Sequence, residues 1–103
     1  MTIITDPQEN EVRMLRAAAE WRGRRVLEIG CGDGRLTRRL ARLGAVIEAI
    51  DPDPASIRAA RRQWPRQMPR RLAKAARFHV GEAEHLNYPD ESFHRVVFAW
   101  SLC

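Results

Sequence analysis

Cysteine, aromatic side chains and long apolar runs are all scarce in this sequence, and each shortage removes a class of protein. The two cysteines, Cys31 and Cys103, keep no Cys/His spacing of a zinc site, so neither a disulfide framework nor a structural metal is expected. No apolar run approaches the about 20 residues that span a bilayer, and residues 1–7 show no basic block followed by an apolar one, as a secretory leader would. The expectation is a cytoplasmic protein with no membrane segment. Hydrophobic residues make up 45% and charged residues 30% of the chain, a balance that excludes disordered and fibrous classes. At 103 residues a single domain spanning 1–103 is expected.

Acids are outnumbered: 18 Lys and Arg stand against 13 Asp and Glu, for a net charge of +5. The excess is mostly arginine on predicted helices. Such a surface suits nucleic acid, but arginine is as much at home on a solvated helix face, so charge alone does not favour that partner.

Periodicity organises the rest. Val12, Leu15 and Ala18 or Ala19 recur at helical spacing, which predicts a leading amphipathic helix over 8–21. Residues 24–29 read as a first strand. Leu36, Leu40 and Leu43 give the next helix one apolar stripe, with Arg35, Arg38, Arg39 and Arg42 facing outward and Gly44 closing it. A second buried strand covers 45–50 and stops at Asp51. Asp53 followed by Pro54 is a strong helix start, and the helix is predicted to run to Trp64 and end at Pro65. Residues 66–76 are basic and broken by Pro69, so a short helix or irregular connector is expected. Strands follow at 77–80 and 93–99, separated by a turn-rich stretch.

Strands alternating with helices predict an α/β fold, a Rossmann-like doubly wound parallel sheet with its ligand crevice at the carboxyl ends of the strands. Gly30, Gly32 and Gly34, Asp51, and the Gly81-Glu82-Ala83 segment all fall at those ends. A dinucleotide fingerprint fails here, because the third glycine would stand at position 35, where the chain has Arg35. Asp33 in the turn and Glu28 before it would also meet a pyrophosphate with negative charge. The phosphate-loop pattern ending in Gly-Lys-Ser/Thr is missing too.

The pattern Glu28-x-Gly30-x-Gly32-x-Gly34 resembles the first motif of class I S-adenosylmethionine-dependent methyltransferases. Asp51 matches that family's ribose-binding acid, and Phe78-His79-Val80-Gly81-Glu82-Ala83 is similar to its adenine-reading segment, though the family more often has Asp where Glu82 stands. The resemblance covers residues 24–102 and implies a sheet whose order begins 3-2-1-4. It further implies S-adenosyl-L-methionine as cofactor and methyl transfer to an O, N, C or S nucleophile of an unknown acceptor. The implied cofactor residues are Glu28, Gly30, Cys31, Gly32, Asp33, Gly34, Asp51, Pro52, Glu82 and Ala83. No catalytic residue and no metal ligand is implied, and His94, standing where the family has Asp, is given no role.

In the family further strands pair beside the fourth. Here Val96, Val97, Phe98 and Trp100 therefore predict an open apolar edge, with self-association through it. The rival reading is a non-catalytic module, either a cofactor-binding fragment or a basic RNA- or protein-binding surface. A nucleotide-dependent oxidoreductase is a third, opposed by Arg35 and Asp33.

Overall fold

The computed structural model describes residues 2–4, 21–82 and 92–99. Chain order is β1 (Thr2–Ile4), β2 (Arg25–Ile29), α1 (Arg35–Arg42), β3 (Val46–Asp51), α2 (Pro54–Gln67), a 3-10 turn (Arg70–Leu72), β4 (Ala76–Val80) and β5 (Arg95–Phe98). The sheet has five strands in the order β1-β5-β2-β3-β4, all neighbours parallel. Its four longer strands reproduce the expected 3-2-1-4 order, since β4, β3, β2 and β5 are the third, second, first and fourth predicted strands.

Each element follows from local chemistry. β2 presents four consecutive buried residues, Val26 to Ile29, as a strand covered on both faces should. α1 buries Leu36, Thr37, Leu40 and Ala41 while Arg35, Arg39 and Arg42 stay exposed and Arg38 is half-buried. It ends in a Schellman turn: Gly44 N–H donates to Ala41 C=O at 3.0 Å and Ala45 N–H to Leu40 C=O at 3.1 Å. Gly44 adopts φ +98°, and a Cβ there would stand 3.0 Å from the Arg22 Cα, so the position requires glycine twice over. Asp53 caps α2, its carboxylate accepting from Ala55 N–H at 3.1 Å and from the Ser56 hydroxyl at 2.9 Å. Those two bonds hold the Asp53 carboxyl below its ordinary pKa.

One face of the sheet packs with the two helices into the main core, where Val26, Ile47, Ala49, Phe78 and Val97 meet Leu36, Leu40, Ile57, Ala60 and Trp64. Trp64 and Phe78 pack edge to face with centroids 5.4 Å apart, and Trp64 Nε1 donates to Leu72 C=O at 3.1 Å. Leu27, Ile29, Ile50 and Val96 form a second cluster on the opposite face.

Three expectations are corrected or fall elsewhere. α2 does not end at Pro65 but carries it inside its last turn and runs to Gln67, with Met68 N–H still donating to Trp64 C=O at 2.9 Å. A proline so near the terminus forfeits one ladder bond, and burial of Trp64 and Met68 on the core side compensates. The fourth strand is not an open edge at these residues: Thr2, Ile3 and Ile4 pair with Arg95, Val96 and Val97. The premise for self-association through an uncovered β5 is thereby removed. The helix expected over 8–21 lies outside the described residues except for Trp21, which is buried in a turn. Trp100 also falls outside. Among the described residues no helix is long and apolar enough to cross a membrane.

Candidate functional site

The turn after β2 is bound to β3 by its own main chain. Gly30 N–H and Cys31 N–H both donate to Ile50 C=O, at 2.8 and 3.0 Å, and Gly34 N–H turns back to Cys31 C=O at 3.0 Å. Gly32 N–H donates to Asp51 Oδ2 at 2.9 Å. Asp51 Oδ1 accepts from Asp53 N–H at 2.9 Å, so the carboxylate is clamped from both sides at the end of β3. Each of its oxygens keeps a further lone pair for an outside donor. The glycine turn and Asp51, separate in sequence, are thus one rigid unit.

Two glycine positions have distinct causes. Gly32, at φ +57°, has open space where a Cβ would be, which leaves backbone bare toward the crevice. Gly34, at φ +97°, caps α1, and a Cβ there would meet the Phe78 ring at 3.4 Å. Gly30 shares the left-handed conformation at φ +81°.

Glu28 is the electrostatic centre. It is completely buried beneath the turn, and Thr37 of α1 donates its hydroxyl to Oε1. Its other oxygen, Oε2, is buried with no hydrogen-bond partner. Burial is the main cause that lifts the carboxyl from 4.5 to about 7, opposed by the Thr37 bond and the charge of Arg35. An orphaned buried carboxylate oxygen is costly and fits a site that receives a cationic donor.

The remaining expected residues divide. Asp33 is exposed in the turn, and Pro52 is exposed just after Asp51. Cys31 is buried in the main core; burial, then the charges of Glu28 and Asp51, push its thiol well above the ordinary range. It shapes the turn and offers no reactive sulfur. Gly81 N–H donates to Asp51 C=O at 3.1 Å, which brings exposed Glu82 to the same end of the sheet. Ala83 lies outside the described residues, and so do Ser101, Leu102 and Cys103. Thr37, which sequence reasoning did not single out, is the one polar residue of α1 that is fully buried, opposite Glu28. His94 lies at the other end of the sheet, where its Nδ1 accepts from Arg25 N–H at 2.9 Å, a structural task. Burial, then Arg25, Arg24 and Arg95, lowers its pKa. Among the described residues no three metal-ligating side chains converge.

Of the turn N–H groups from Gly30 to Gly34, four already have protein acceptors, so the loop is not the row of free donors that a pyrophosphate needs. A parallel sheet in this order, with a glycine turn locked to a strand-end acid, is the arrangement of the class I S-adenosylmethionine-dependent methyltransferases. Residues 26–103 match the family described as "Methyltransferase domain", and the chain belongs to that family. Among its relatives is the ubiquinone biosynthesis O-methyltransferase of Methylocella silvestris, 58% identical over 40 residues, which are 39% of this chain and 16% of that protein. The trans-aconitate 2-methyltransferase of Mycobacterium tuberculosis is 58% identical over 41 residues, 38% of this chain and 16% of the relative. The crystal structure of the YcgJ protein from Bacillus subtilis superposes with a TM-score of 0.71 at 26% identity, covering 86% of this chain and 36% of that one. The chain therefore spans only part of the length of the proteins it matches.

Proposed function

We propose that this chain is the cofactor-binding half of an S-adenosylmethionine-dependent methyltransferase, whose complete reaction moves a methyl group to an O, N, C or S nucleophile. When bound, the cofactor supplies a methyl already activated on a sulfonium. The chain's own residues bind and orient it. Glu28 Oε2, buried without a partner, is suited to the methionine ammonium, with Asp33 adding negative potential at the turn. Asp51, held by Gly32 and Asp53, offers its free lone pairs to the ribose hydroxyls. Gly30, Cys31, Gly32 and Gly34 set the turn, Pro52 flanks the ribose, and Glu82 with Ala83 reads the adenine.

The observation that carries this reading is the Gly32 N–H to Asp51 Oδ2 bond, because it unites the turn with the ribose acid and withdraws a donor from any phosphate. The names of the two relatives point to different acceptors, so the reading stays with the methyl donor. Asp51→Ala is expected to weaken S-adenosylmethionine binding about tenfold or more, roughly 1.4 kcal/mol. Calorimetric titration checks it, and an unchanged affinity removes Asp51 from the site.

A further inference from the structure

We propose that the outer edge of β4 docks an extended acidic segment of a partner protein, which adds to the sheet as a further strand. β4 ends the sheet on the side away from β1. Ile47 N–H donates to Ala75 C=O and Gly81 N–H to Asp51 C=O, which sets the alternation of the ladder. The main chains of Arg77 and His79 therefore face β3, and those of Ala76, Phe78 and Val80 face outward. Among the described residues, only the Phe78 carbonyl of these outward groups has a partner: Arg61 donates to it through Nε at 3.0 Å and through Nη2. Beside the edge runs a groove of about 430 Å³, walled by Arg61, Trp64, Pro65 and Ala73 and by Arg77 and His79 of the strand. None of the cofactor residues lines it.

Charge selects the occupant. Residues 54–81, from α2 through β4, contain seven arginines and one lysine and no Asp or Glu. Glu48 on β3, the acid beside Arg77 and His79, is already engaged by His79 Nε2 at 2.9 Å and by Arg77 Nη1 at 3.6 Å. A nucleic-acid strand also suits the positive surface, but the edge argues against it. The outward carbonyls of Ala76 and Val80 call for donors, whereas a phosphodiester offers acceptors. Trp64 and Phe78, each 5% exposed, leave no aromatic face on which bases could stack. A second copy of β4 would bring donors and acceptors together with the same cations. An acidic peptide strand meets both requirements, because its backbone pairs with the edge and its carboxylates meet the arginines. Pairing replaces the bonds of Arg61 to the Phe78 carbonyl with an incoming N–H and frees the guanidinium for a carboxylate.

The test titrates the full chain with a fluorescent peptide of about ten residues alternating Glu and Val, a typical strand length or longer. A Lys/Val peptide and a single-stranded oligothymidine of similar length serve as comparisons. The expected result is saturable binding of the Glu/Val peptide and not of the Lys/Val peptide. The amides of Ala76, Phe78 and Val80 should gain exchange protection while that of Gly32 is unchanged. Ala76→Pro deletes an outward N–H at the first residue of the strand, where proline is tolerated, and should weaken binding about tenfold. The pair Arg61→Gln with Arg77→Gln should do the same with the fold intact by circular dichroism. Failure to bind overturns the proposal. Equal binding of the oligothymidine without protection on β4 also overturns it, by showing a general polyanion surface, and so does affinity unmoved in both variants.

Discussion

Glu28 is a fully buried carboxyl whose pKa is raised by that burial, and the sign of the shift gives a direct test. Its folded pKa of about 7 lies above the ordinary 4.5, so between those values the folded state holds a proton that the unfolded state has released. Stability of the cofactor-free chain should therefore fall as pH rises from about 4.5 to about 7, by roughly 3 kcal/mol, and then level off. Glu28→Gln should flatten that slope in urea unfolding followed across the same window; a slope equal to wild type contradicts the account. Gly34 makes a second prediction at this scale. Alanine there must hold φ +97° with its Cβ 3.4 Å from the Phe78 ring, and should cost about 1–3 kcal/mol, read as a lowered midpoint of thermal unfolding. A variant as stable as wild type would show that the turn relaxes.

At the scale of elements, what was legible in the sequence and what was not divides along the range of the interactions. The glycine turn, the Asp53-Pro54 cap and the Leu36-Leu40 stripe were readable because each is settled within a few residues of chain. Pro65 was misread as a stop because its position in the last turn costs one bond, while the compensation comes from core contacts of Trp64 and Met68 distant in sequence. Thr37 gave no signal, since a threonine in a helix declares itself only when a buried acid faces it. Thr2, Ile3 and Ile4 are β-branched, but three residues are too few for a periodicity, and their strand exists through pairing with β5. That pairing is testable. Ala99 N–H donates to Ile29 C=O, so the amides of Arg95 and Val97 face β2 with it, and those of Val96 and Phe98 face β1. Deleting residues 1–4 should speed hydrogen exchange at Val96 and Phe98 and leave Arg95 and Val97 protected; uniform loss or no loss would contradict the register.

Across the whole molecule, Asp33, Asp51 and Glu82 gather at the carboxyl ends of the strands, while the arginine-rich stretch from α2 to β4 runs along the edge strand β4, which has no further strand beside it among the described residues. No residue of the proposed cofactor site lines the groove beside that edge, so the two proposals can be tested separately. The glycine turn and Asp51, divided in sequence, are joined by the bond from Gly32 N–H to the Asp51 carboxylate, which the motif spacing does not reveal. Glu82 reaches the same end of the sheet through the Gly81 bond to Asp51. The central claim is that this arrangement selects S-adenosylmethionine over a nicotinamide dinucleotide. Calorimetric titration of the full chain with S-adenosylmethionine, S-adenosylhomocysteine and NAD tests it most directly. Saturable binding of the first two with no heat from NAD is the predicted result, and NAD binding as tight as either would contradict it.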